Sequence, residues 1–254
     1  MLPILKNSFH QVFRAHFLLL IVSINAALIL LLLLLNALSL GESQRIFYDV
    51  GLSFLEISHI CLVLFLGHEI ISKEAEQRTL YLLFVRPISR YNIILGKFLG
   101  FSSILVISFF VQLLFIICSF LIFNLPISEK FLMASVGVFL TVEVLFGVLL
   151  FFCVVLPRSL IIFATLAVYI IGHSSYSLLE YALASHNGIL EYIAKVFVVI
   201  FPNLNAINIK NTVGTPIIVD FGVFGIGMLG ILAYLLAIGI VTGFIFSRRS
   251  FDNV

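Results

Sequence analysis

The chain has 254 residues, 62% of them apolar and only 10% charged, with a mean hydropathy of +1.25 and a formal net charge of +2. A soluble domain carries about 45–50% apolar and about 25% charged residues, so a water-soluble globule is excluded, and a disordered chain is excluded because low hydrophobicity and high net charge are both missing. The charge balance gives no footing for nucleic acid, and Cys61, Cys118 and Cys153 lie inside apolar runs without metal spacing, which reads them as lipid- or core-facing fillers with no metal site.

Helical periodicity begins at the first residues. Leu2, Leu5, Phe9, Val12, Phe13 and His16 recur at three- and four-residue steps, while Lys6, His10 and Arg14 repeat every fourth residue on the opposite side. That pattern predicts an amphipathic helix over 1–16, lying in the membrane interface and fixing the angle of the first span. Six runs are then long enough, at about 20 apolar residues, to cross roughly 30 Å of hydrocarbon as helices. They are 17–40, 51–71, 93–123, 131–156, 160–179 and 221–246. The first lacks a short basic start and a small-residue cleavage pattern, so it is expected to be an anchor rather than a removed leader. The second is the least apolar, because it holds Glu56, His59, His68 and Glu69; omitting it would break the parity of the layout. Ten-residue alternating segments, the mark of a barrel, do not occur. No repeat or low-complexity linker divides the chain, which predicts one all-α, polytopic membrane domain over 1–254.

Basic residues near span ends stay on the cytoplasmic side. With both termini inside, the cytoplasmic set is Lys6, Arg14, Lys73, Arg78, Arg86, Arg90, Lys97, Arg158, Arg248 and Arg249, leaving Arg45, Lys130, Lys195 and Lys210 outside. The inverted chain reverses this division and is disfavoured.

Two connections are long. In the cytoplasmic one, over 73–90, Glu69 with Lys73 and Glu74 with Arg78 are acid-before-base pairs at i,i+4, each worth a few tenths of a kcal/mol to a helix. Leu80, Leu83 and Phe84 then turn apolar, Pro87 ends the helix, and Ser89 is placed to cap the next one. A short helix, half charged and half apolar, on a span of about 46 Å suits a cytosolic partner that delivers force; a solvated loop is the plainer reading. The external connection, over 180–220, contains a second amphipathic pattern: Ile189, Leu190, Ile193, Val196, Phe197 and Ile200 at helical steps, with Glu191 and Lys195 at i,i+4. It is expected to lie flat on the outer surface, as a lid over a dimer or as a dock for a periplasmic protein.

Charge inside the spans must face protein or water. Glu143, midway along the fourth span, reads either as a residue of the translocation path able to take up a proton or as a neutral acid hydrogen-bonded at a helix contact near Gly147. Glu56 and His59 at i,i+3 resemble half of a di-iron helix motif whose other half is missing, so a hydrogen bond at a helix or dimer contact is the simpler role. His173, Tyr169 and Tyr176 read as packing or interface residues.

The run Glu74-x-x-x-Arg78-Thr79-Leu80-x-Leu82-Leu83-x-x-Arg86-Pro87-x-Ser89-Arg90-x-x-x-Leu95-Gly96-Lys97 resembles the signature of the type-2 ABC transporter permeases. The six-span layout, the N-terminal interfacial helix, the long external segment and Phe201-Pro202-Asn203-Leu204 resemble that family too, with closest likeness to its copper-enzyme-maturation branch. The family often has glycine directly before the threonine, where this chain has Arg78. The resemblance implies a bacterial inner-membrane subunit without catalytic residues. Its coupling segment would dock on a separate P-loop ATPase through Glu74, Glu76, Arg78, Thr79, Tyr81, Arg86, Pro87, Ser89 and Arg90. It also implies a homodimer or a heterodimer with a similar chain, on two ATPase copies that bind Mg-ATP. The chain itself has no Gly-x-x-x-x-Gly-Lys-[Ser/Thr] loop, since Gly96-Lys97 is followed by Phe98. The rival reading is an ion- or proton-coupled carrier working through Glu56 and Glu143.

Overall fold

A computed structural model describes residues 23–31, 34, 43–67 and 90–248. The predicted interfacial helix 1–16 and the coupling residues 73–89 lie outside the described residues. Among those described, regular structure is helical throughout, with no strand. Helix α1 covers 23–31 within the first predicted span. Helix α2, Ser43–Leu62, continues as a π-helical turn, Val63–Gly67. Then come α3, Arg90–Ile122; α4, Glu129–Val155; α5, Arg158–Ala184; α6, Gly188–Ile200; and α7, Phe221–Arg248. Five of these helices, α2 with its π turn, α3, α4, α5 and α7, are long and apolar enough to cross a membrane.

Two boundaries differ from expectation. Helix α2 begins at Ser43 rather than at 51, inside what reads as a polar loop. The reason is packing: Phe47 and Tyr48 are fully buried, the Tyr48 ring meets Phe120 edge-on at 5.3 Å, and its hydroxyl donates to the Pro126 carbonyl. Helix α5 runs on to Ala184 instead of stopping at 179, because α6 packs back against it.

Helix α4 is the axis of the bundle. Every residue from Thr141 to Leu150 is buried, which is why no hydrophobic stripe can be read from it: a helix surrounded by others is apolar all round. It packs against α2, α3, α5 and α7. Ser128 caps it by accepting from the Phe131 amide at 3.2 Å, with Glu129 in the first turn against the positive end of the helix dipole. Helices α5 and α7 bury much less of themselves and present large apolar side chains outward, among them Phe163, Ile170, Leu229 and Phe244.

The connections sort to two ends. Tyr48 reaches Pro126, and Lys130 donates to the carbonyls of Thr215 at 2.8 Å and Ile217 at 2.7 Å, so the segments near 43, 126 and 215 share one end. At the other end, Ile93, Ile161 and Phe246 meet in a single apolar cluster. The Tyr91 ring lies so close over Gly243 that a Cβ there would stand 2.2 Å from it.

Candidate functional site

The segment that leaves α6 does not lie flat on the bundle. Asn187 caps α6 through its side-chain oxygen, and the helix carries the Glu191–Lys195 pair at 2.6 Å and exposes Ile189, Tyr192 and Val199. At Phe201-Pro202 the chain bends by 63° between α6 and Leu204–Thr212. It then returns into the bundle as two 3-10 turns, Leu204–Ile207 and Lys210–Thr212, burying Leu204, Ile207 and Val213. The expected amphipathic helix is α6 itself, and it is the segment after it that enters the bundle.

Three glycines from three helices receive it. A Cβ on Gly172 of α5 would stand 2.8 Å from the Pro202 carbonyl oxygen, one on Gly227 of α7 2.8 Å from that of Ala206, and one on Gly137 of α4 2.4 Å from that of Ile207. Real Cβ atoms do not come within 3.0 Å of a neighbour. The backbone of 202–207 therefore seats only where side chains are missing.

The same segment carries a cation to a buried anion. Glu56 of α2 is 3% exposed, and Lys210 donates to its Oε2. The Tyr169 hydroxyl of α5 donates to Oε1 at 2.7 Å, and His173 Nε2 lies 3.8 Å from the same oxygen. Tyr169 and His173 sit one turn apart, with ring centroids 4.5 Å apart, and His173 Nδ1 is 3.1 Å from the Tyr169 carbonyl. An intramembrane acid needs a partner; here it has a cation and a phenol, drawn from two elements distant in sequence. Lys210 escaped sequence reasoning because it reads as one external basic residue among several. The signal that pointed toward this cluster was Glu56 itself, together with the i,i+4 spacing of Tyr169 and His173 on one face of a span.

His59 belongs to a different network. Its Nδ1 lies 2.7 Å from the Leu55 carbonyl, which can only accept, so Nδ1 donates, and Nε2 lies 3.0 Å from the Ser108 hydroxyl of α3. Beside it Ser58 donates to Gln112 Oε1 at 2.8 Å. Glu56 faces α5 and the inserted segment while His59 faces α3, so the two do not converge on a common ligand. No group of three or more His, Cys, Asp or Glu side chains able to hold a metal occurs among the described residues.

Glu143 is 4% exposed at the contact of α3 and α4, where the Ser102 hydroxyl lies 2.7 Å from each carboxylate oxygen. Gly147, one turn along, makes room for α7 rather than α3: a Cβ there would stand 2.8 Å from Leu235. Of the coupling residues, Glu74, Glu76, Arg78, Thr79, Tyr81, Arg86, Pro87 and Ser89 lie outside the described residues, and Arg90 opens α3.

A segment of two 3-10 turns is docked by backbone against a glycine cradle and tied by an ion pair to Glu56 of α2. Residues 4–250 match the family described as ABC-2 family transporter protein. No curated protein matches the chain.

Proposed function

The chain belongs to the ABC-2 transporter family, and from that premise we propose that it is the permease subunit of an ABC exporter whose motor is a separate P-loop ATPase. Members of the family are multi-pass membrane components that work with an ATP-binding subunit. The observation that carries the reading is the family match running across the whole described bundle, with the charged elbow 73–90 between its second and third spans. Two permease chains, alike or similar, sit on two ATPase copies in a bacterial inner membrane, with both termini in the cytoplasm. ATP-driven closure of the motor presses on Glu74, Glu76, Arg78, Thr79, Tyr81, Arg86, Pro87, Ser89 and Arg90, tilts the spans, and opens the opposite end. The likeness of the motif to the copper-enzyme-maturation branch supports that sub-assignment.

Affinity purification of the native complex tests this. The expected result is a co-purifying P-loop ATPase that is lost when Glu74, Glu76 and Arg78 are reversed in charge. A complex without an ATPase, together with gradient-driven transport by the purified chain in liposomes without ATP, overturns it in favour of a coupled carrier.

A further inference from the structure

We infer that residues 201–213 form a removable plug at one end of the bundle and that the Glu56–Lys210 pair is its latch. The inference rests on the transporter reading only for what the plug opens to; the plug itself is argued from the fold.

Four observations combine. The seat is preformed, because Gly137, Gly172 and Gly227 lie on three separate helices and each meets a different carbonyl of one short segment. The segment is self-contained. Thr212 donates to the Ile209 carbonyl at 2.7 Å and the Lys210 amide donates to the Asn208 side-chain oxygen at 3.4 Å, while Lys130 of α4 holds the chain just beyond the segment at Thr215 and Ile217. Its local bonds therefore travel with it, and lifting it breaks no long helix. The seated state also carries a cost, since Asn203 Oδ1 is buried with no hydrogen-bond partner, a group that water would satisfy once the segment lifts. Finally, the tie is an ion pair. A buried pair nearly breaks even against its hydrated partners, so a latch of this kind holds while the site is dry and releases cheaply when water enters. An all-apolar contact would lack that reversibility.

The pair is specific in register. Lys210 is the cation in the second 3-10 turn, and Glu56 is held for it by the Tyr169 hydroxyl from the opposite side. Loss of either charge leaves the cradle intact and frees the segment to swing about the bend at Phe201-Pro202.

The test uses the full chain in lipid nanodiscs, where both membrane faces are accessible, with Cys61, Cys118 and Cys153 replaced by serine. A single cysteine is introduced by Leu204→Cys, a buried position on the segment, and its rate of labelling by a membrane-impermeant maleimide is measured. Labelling is expected to be slow with Glu56 and Lys210 in place and about tenfold faster with Glu56→Gln or Lys210→Gln. It returns to the slow rate in the swapped double variant Glu56→Lys with Lys210→Glu. Unchanged rates in the single variants, or a swapped variant as fast as either, overturn the latch. A control cysteine at Leu105→Cys, deep in the bundle, stays protected throughout; faster labelling there as well means that the pair holds the whole fold and also overturns it. The rates are read without ATPase or nucleotide. A failure here therefore leaves the permease assignment standing, and a native complex lacking an ATPase leaves the latch standing.

Discussion

Glu56 and Glu143 are buried to nearly the same degree, at 3% and 4% exposure, yet the bundle treats them in opposite ways. Glu143 is answered locally: one serine on the adjacent helix caps both oxygens, at a contact between two long spans. Glu56 is answered from far along the chain, by a lysine on a short 3-10 turn and by a tyrosine on α5. The first arrangement joins parts that are already fixed. The second joins a fixed part to one that has its own bend, its own local hydrogen bonds and a seat that nothing but glycine can form. Equal burial therefore goes with two different kinds of partner, one fixed and one on a separately folded turn.

The comparison is broken most severely at the seat. Gly137→Val places two methyl groups where the Ile207 carbonyl already sits, and backbone on both sides leaves no flexible side chain to give way. Overpacking of this kind costs about 3 kcal/mol, and the expected result is a clear fall in melting temperature in nanodiscs. The same substitution at Gly225 or Gly230, where a Cβ would meet nothing, changes little. The next effect down is at the charge. Glu56→Gln leaves Lys210 facing an amide, and because Lys210 keeps about a fifth of its exposure the cost is about 2 kcal/mol rather than the larger figure for a fully enclosed pair. Equilibrium unfolding of the purified chain measures it, and Lys210→Gln is expected to match it within about 1 kcal/mol.

How much of this could be read beforehand depended on whether the cause was local. Five of the six spans were legible because lipid imposes a minimum apolar length on each helix separately, and α3, α4 and α7 end within a few residues of the expected positions, whereas of the first, 17–40, only 23–31 and 34 are described. The start of α2 was not, since Phe47 and Tyr48 are helical for the sake of Phe120, Phe131 and Pro126, which lie in other elements. The central place of α4 was present only as missing periodicity, which a lipid-facing span can share. Glu56 announced that it needed a partner, but Lys210 is 154 positions away and no spacing rule connects them. Gly137, Gly172 and Gly227 read as ordinary small residues in spans; only the path of 202–207 explains all three. The elbow at 73–90 was legible as a motif because its residues are contiguous in sequence, and it lies almost wholly outside the described residues.

The smallest effect is the one that isolates the contrast. Glu143→Gln makes the same chemical change as Glu56→Gln at a site of equal burial, but Ser102 can go on donating to an amide oxygen and no cation is left behind. Hydrogen bonds between spans contribute about 0.6 kcal/mol on average, so Glu143→Gln and Ser102→Ala should each shift stability by less than about 1 kcal/mol. In the Leu204→Cys labelling assay neither should quicken the reaction, because α3 and α4 stay packed whether or not that bond is made. A Glu143→Gln variant as damaging as Glu56→Gln would mean that burial, not the partner's independence, sets the consequence. A faster label in that variant would instead tie Glu143 to the inserted segment through α4, the helix that carries both Glu143 and the Gly137 seat.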